Sequence, residues 1–425
     1  MQFDAIVVGA RVAGCATAFA LAQRGWRVAL VERKPRPLGG TLSLPITQPR
    51  ALARFRDLGL LPMIEKIMPH FKQVRSYSLG LSKDITIVGD CPPFNGFDFG
   101  VILRREVLDE AFLDYVLQTF PQHITFFGGT NVDALLYHEK TQQVHGIRVR
   151  DPQQTHTFHA PLVIGADGRF SLIARLTQAT PYRVRRSTTT LFYSYCRGID
   201  MHGLADIVFR SLPNQRLVVF SEVGDGLQTI SAWFPVQQFP LFRTRPTAEL
   251  QETWESSPEL AERMTQIQLV GKTMGLSPQS ADGYFRPTGG PGWALVGDAR
   301  HYKDPASGQG LHDALYSVQQ LLLAIEAVTQ GNPLTLHAAQ SAWPQAMARV
   351  QQRSDAELLP MYTFTYTFAE GLTRPPSYLE HALLRAIAEN PAITQRFLGI
   401  MTGATSVTAF NRLAPLYMLR GIFPF

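Results

Sequence analysis

A strand, a glycine turn, a helix and a second strand follow one another without interruption in the first thirty-two residues. Phe3-Asp4-Ala5-Ile6-Val7-Val8 is apolar and β-branched, as a strand buried on both faces should be, and it stops at Gly9. Ala13, Ala16, Phe19, Ala20 and Leu21 then recur at helical spacing as far as Gly25. Arg27-Val28-Ala29-Leu30-Val31 reads as a second buried strand that ends on Glu32. A βαβ unit of this kind predicts an α/β fold with a Rossmann-like parallel sheet.

The turn inside it is Gly9-Ala10-Arg11-Val12-Ala13-Gly14. Gly9 suits the tight exit from the strand, and Gly14, without a Cβ, lets the helix lie close on the sheet. The free N–H groups and the dipole at the helix start then make a site for a pyrophosphate. Glu32, eighteen residues past Gly14, lies where a carboxylate accepts hydrogen bonds from two ribose hydroxyls and repels a 2′-phosphate. The ligand read from these residues is FAD or NAD. Arg11 replaces the middle glycine of the usual fingerprint, so its side chain is expected to swing aside toward the phosphates. Arg33 opens a basic Pro/Gly-rich loop, from Arg33 to Gly40, that suits phosphate contact or plain solvation.

Size and composition bound the rest. At 425 residues the chain is longer than one core usually grows. Hydrophobic residues are 45% and charged residues 17%, an ordinary globular balance, and no apolar run spans a bilayer. The net charge is +6, but Lys and Arg are scattered, with no basic stripe interleaved with aromatics, which argues against nucleic acid. Cys15, Cys91 and Cys196 stand far apart; they form no metal cluster and point to a reducing, cytoplasmic setting. Cys15 reads as a small packing residue.

Three domains are expected. Residues 1–73, 100–182 and 286–342 form a discontinuous dinucleotide-binding domain, for FAD or NAD, 74–99 and 183–285 an inserted antiparallel β-sheet substrate domain, and 343–425 a C-terminal helical region. Pro49 opens a helix with Arg50 in its first turn facing the cofactor side. Val101 to Arg105 is a strand end whose alternation lets only one of Arg104 and Arg105 reach a cofactor. Phe158 to Ile164 leads into Gly165-Ala166-Asp167-Gly168, and Gly292 to Val296 into Gly297-Asp298. Both place a carboxylate at a strand's C-terminal end, where open α/β sheets bind ligands. Pro305, Gly308 and Gly310 precede a long amphipathic helix starting at Leu311. Aromatic residues alternate with threonine from Met361 to Phe368, a strand period set among helices.

The glycine turn with Glu32, the Asp167-Gly168 turn and Gly297-Asp298, in this order, resemble the FAD-dependent monooxygenases of the para-hydroxybenzoate hydroxylase type. The resemblance covers about the first 340 residues. It implies that the first element binds the ADP half of FAD, the Asp-Gly turn serves FAD and NAD(P)H, and Asp298 binds the ribityl chain. By the same resemblance Arg105 is the strand-end arginine near the flavin, and the helix start at Gly308, Gly310 and Leu311 faces the flavin's pyrimidine edge. Arg300, Asp304 and His312 depart from the family's Ala-Ala-His, Pro-Pro and Gly-Leu-Asn runs, while His301 and Pro305 match them. His312 and Pro305 are accordingly placed near the flavin ring, with a catalytic role.

The activity implied is hydroxylation or epoxidation of a small hydrophobic, aromatic or polycyclic substrate with O2 and NAD(P)H, by way of a flavin hydroperoxide. A flavin reductase is the alternative source of reduced flavin. Two rivals are a flavin-dependent alkene reductase of the geranylgeranyl-reductase type and a flavin-binding protein without chemistry. The halogenase signature W-x-W-x-I-P of the same architecture is absent. No metal and no nucleic acid are implied; the oligomeric state, the substrate and the choice between NADH and NADPH are not fixed by the sequence.

Overall fold

The first strand, β1 (Ala5–Val8), is buried at every residue and lies inside a six-stranded sheet of a computed structural model that describes residues 1–40, 43, 46–330 and 341–422. The C-terminal end of the expected FAD-binding segment, residues 331–340, lies outside the described residues. After β1 come α1 (Val12–Ala22), β2 (Val28–Glu32), β3 (Val163–Gly165), β4 (Trp293–Leu295), α2 (Gly310–Thr329) and α3 (Trp343–Leu372). β1 pairs in parallel with β2 on one side and β3 on the other, and β3 pairs in parallel with β4. Both faces of this sheet are covered, which explains why its strands are unbroken apolar runs. Segments more than 280 residues apart thus end side by side: Val8 is opposite Gly165, and Gly165 opposite Leu295. Strand ends that the sequence separates are gathered along one edge.

A seven-stranded sheet forms the second lobe. It runs from Gln268–Gly275 through Thr189–Arg197, Leu227–Pro235, Arg216–Gly224 and Ile207–Leu212 to Ser76–Gly80 and Thr86–Asp90. Its pairings are antiparallel except that of Ile207–Leu212 with Ser76–Gly80. Alternate residues feed two cores. Phe192 and Phe234 pack with Phe242, whose ring lies 3.7 Å from that of Phe234, while Tyr193 and Trp233 face the C-terminal helices.

The Met361–Phe368 stretch is helical, inside α3, and not a strand. Its buried residues Met361, Tyr362, Thr365 and Tyr366, with Ala369 just beyond it, follow the helical repeat, leaving Thr363 and Thr367 exposed. Helices Tyr378–Glu389, Pro391–Thr402 and Val407–Ile422 complete the chain. No helix among the described residues is long and apolar enough to cross a membrane.

Candidate functional site

At the end of β1 the backbone turns through Gly9 at φ 103°, a conformation that favours glycine. A Cβ on Gly14 would stand 1.7 Å from the Gly9 carbonyl oxygen, so the helix can start here only with a bare backbone. α1 has no side-chain cap and no acidic residue in its first turn. Its opening N–H groups are left for a ligand, and the dipole favours an anion. Glu32 is 7% exposed and accepts from the backbone N–H groups of Ala10 and Lys34, both at 3.0 Å. Its carboxylate braces the turn while keeping lone pairs for further donors.

Arg11 does swing aside, but to protein. It meets the fully buried Asp109 and donates to the carbonyls of Leu38 and Gly39. Arg105 holds the other oxygen of Asp109 at 2.9 Å, whereas Arg104 turns to Asp225 of the sheet lobe. Asp109, one helical turn beyond Arg105, thus organises two arginines that sequence reasoning left independent. Arg33 is exposed.

The three strand ends differ. Asp167 accepts from Ser171 Oγ and from the N–H groups of Leu172 and Ile173, so it closes the start of helix Leu172–Leu176. Burial nevertheless pushes its carboxyl above the usual range. Gly168 beside it takes φ 78° in open space. Asp298 is the contrast: its carboxylate makes no hydrogen bond or ion pair among the described residues. Burial raises its carboxyl, and Arg105, Arg169 and Lys303 pull it down. A carboxylate held by distant charges alone is ready to accept from a hydroxyl. Gly297 before it has φ 58°, donates to Ser317 Oγ, and would drive a Cβ to 2.8 Å from that of Ala13.

Beyond Asp298 the loop to α2 is fixed from several directions. Asp304 accepts from Ala306 N–H and Ser187 Oγ, capping the short turn at Pro305. Its departure from the family's proline therefore has a structural reason. Burial pushes its carboxyl up to about 6. The folded state keeps this proton where the unfolded chain has lost it, so the contribution is full below pH 3.8 and disappears as pH rises through about 6. Asp304→Asn is expected to flatten that slope and to gain about 2 kcal/mol near neutrality. Urea unfolding at several pH values measures it; an unchanged slope refutes the assignment.

α2 also begins without a side-chain cap, at Gln309 and Gly310, next to the partly buried Leu311. Gln309 donates to Ser307 O and to Met401 O, and Thr365 on α3 donates to Ser307 Oγ. His312 is 1% exposed and packs into protein, on Tyr316 and against Asp313 Oδ1 at 3.0 Å. Burial, with the charges of Arg50, Arg54 and Lys303, holds its imidazole well below the usual range. Asp313 also meets Lys303 and lies 3.4 Å from His301 Nε2. Arg50 faces Glu357 at 3.8 Å, and burial lowers it to about 10. This buried polar group under α2 was not visible in the sequence, where its members are unrelated.

Pro305, Ala306 and Gly308 form one wall of an apolar cavity. Tyr77, Phe209 and Trp233 of the seven-stranded sheet form another, and Phe368 and Met401 of the C-terminal helices close it. Its polar atoms are largely paired within the protein: Tyr77 donates to Gln48 Oε1, Trp233 Nε1 to Ser231 Oγ, and Ser231 to Val219 O.

Residues 2–352 match the family described as the FAD binding domain. A digeranylgeranylglycerophospholipid reductase of Methanopyrus kandleri is 24% identical over 74% of both chains. Squalene epoxidase of Candida albicans is 25% identical over 40% of both. The myxobacterial chondrochloren halogenase, described as FAD-dependent, superposes with TM-score 0.72 at 19% identity, over 98% of this chain and 97% of its own.

Proposed function

Because the chain belongs to the FAD binding domain family, we propose that it is an FAD-dependent monooxygenase that hydroxylates or epoxidises an apolar small molecule, with NAD(P)H as reductant. The residues present suit the cofactor. The uncapped glycine turn at Gly9 to Gly14 would take the pyrophosphate, Glu32 the ribose and Asp298 the ribityl chain. Bound there, FAD supplies the redox and oxygen chemistry, and the protein supplies orientation and exclusion of water. The uncapped start of α2 favours negative charge next to it. Asp298→Ala is expected to weaken FAD retention about tenfold, the worth of one charge-assisted hydrogen bond. Flavin absorbance after gel filtration reads it, and an undiminished yellow colour counts against the role.

The observation that carries the substrate class is the cavity. Its apolar walls from the sheet and the C-terminal helices meet the Pro305–Gly308 loop, so an apolar molecule would sit against the same loop that precedes α2. Screening apolar aromatic and polycyclic compounds for substrate-stimulated NAD(P)H oxidation with matched O2 uptake tests the reading. FAD-loaded protein that consumes no O2 with NADH, NADPH or a supplied flavin reductase overturns it. The alkene-reductase reading is favoured by the longer match to the digeranylgeranylglycerophospholipid reductase. Anaerobic turnover with hydrogen gained by the substrate would decide for it.

A further inference from the structure

The apolar cavity keeps two polar side-chain atoms without a partner among the described residues. The first is the hydroxyl of Ser221. This residue lies on the strand Arg216–Gly224, opposite Ile207 on one side and Thr229 on the other, and Ile207 in turn lies opposite Tyr77. Alternation puts Ser221 on the same face as Leu217, Val219 and Val223, the face that lines the cavity. It is 3% exposed, yet its Oγ makes no hydrogen bond among the described residues. Its neighbours on the same face are already engaged: Thr229 donates to Ser194 O at 3.4 Å, and Ser231 to Val219 O. The second atom belongs to Gln48, 4% exposed, which accepts from Tyr77 through Oε1. Its Nε2 donates to nothing among the described residues and lies 3.4 Å from where a Cβ on Gly308 would stand. Among the described residues no Lys, Arg, His, Asp or Glu lines the cavity.

We propose that the cavity takes an uncharged molecule carrying a hydroxyl or carbonyl oxygen on an apolar skeleton, and that Ser221 is the residue that selects for this oxygen. A buried hydroxyl facing apolar space is costly until something pairs with it. The sheet has nothing left to offer, because the backbone around Ser221 is spent on its own ladder with Ile207 and Thr229. The partner must therefore come from the contents of the cavity. A serine hydroxyl both donates and accepts, so an alcohol and a ketone each satisfy it. A carboxylate or a phosphate would enter walls without a cation and keep its full desolvation penalty. Gln48 Nε2 can only donate, and it stands beside Gly308 in the loop before α2. Ser221 is two strand spacings, about 10 Å, from Tyr77, so the two atoms can be tested apart. The inference deepens the cavity reading above and rests on it for the place of the substrate, not for O2 or NAD(P)H.

The test is equilibrium dialysis of the FAD-loaded protein against two sets of matched probes: indane with its alcohol, ketone and carboxylate, and fluorene with the same three derivatives. In at least one set the alcohol and the ketone are expected to bind within about threefold of the hydrocarbon, and the carboxylate at least about a hundredfold more weakly. Ser221→Ala is expected to leave the hydrocarbon unchanged and to weaken the alcohol and the ketone about tenfold, whereas Ser221→Thr, which keeps the hydroxyl, retains them. A loss in Ser221→Ala shared equally by the hydrocarbon reports a change of cavity shape and overturns the role of the hydroxyl. So does oxygen binding that survives Ser221→Ala and disappears in Gln48→Met, which assigns the oxygen to Gln48. A carboxylate bound as tightly as the alcohol, or no binding in either set, overturns the substrate class. No turnover enters these measurements, so a failure of O2 uptake counts against the monooxygenase reading alone, and a failure here against the selection by Ser221 alone.

Discussion

Gly14→Ala is expected to yield a protein that emerges colourless from purification and regains FAD only at concentrations at least about a hundredfold higher than the parent requires. The reason is geometric. The new methyl would sit 1.7 Å from the Gly9 carbonyl oxygen, and Gly9 cannot retreat, because its own Cβ position is already 2.4 Å from the Ala166 carbonyl oxygen of the neighbouring strand end. The helix must move off the sheet and carry its uncapped N–H groups with it. Equilibrium dialysis with FAD measures the change. Circular dichroism distinguishes loss of the site from loss of the fold, since much of the sheet lobe packs in a core of its own. A Gly14→Ala protein that keeps its FAD would show that the pyrophosphate is not held at this turn.

Arg300→Leu is expected to cost about 3 kcal/mol of stability. Arg300 is 1% exposed, and its guanidinium joins Asp355 on α3, leans on Phe285 at 5.2 Å, and reaches Thr288 Oγ1 at 3.4 Å. Asp355 is bonded from its other oxygen by Tyr182 at 2.7 Å. Removing the arginine leaves a mostly covered carboxylate with a single neutral donor. Replacing both charges, as Arg300→Leu with Asp355→Leu, is expected to recover most of the loss, because the pair costs desolvation that an apolar contact does not. Denaturant unfolding of the two single variants and the double variant gives the coupling directly. Additive losses would show that the two residues act separately.

The sequence disclosed the central sheet because its strands are buried on both faces and so read as continuous apolar runs, with Gly9, Gly165 and Gly297 at their ends. Asp298 was legible for the same reason, as a strand-end carboxylate, but the run before it did not tell that Asp167 closes a helix start while Asp298 has no such partners among the described residues. What stayed hidden is held together by distance in sequence. Arg11 finds Asp109 across 98 residues, Ser187 finds Asp304 across 117, and Arg300 finds Asp355 across 55. No local spacing announces such pairs. His312 shows the same limit: its place in the motif says nothing of Tyr316, on which it stacks, or of Asp313, which it meets at 3.0 Å. At Met361 to Phe368 the alternation of ring and hydroxyl fitted two periods, and only burial of Tyr362, Thr365, Tyr366 and Ala369 tells which applies.

The contacts of Gln309 with Met401 and of Thr365 with Ser307 make roof and floor of the cavity one stitched piece. A graft that exchanged residues 343–422 for those of another protein to alter substrate choice would cut both stitches and leave the loop before α2 slack. The cavity of this chain is therefore better re-cut from inside, at Phe209 or Trp233, where the sheet supplies the wall and no seam is opened.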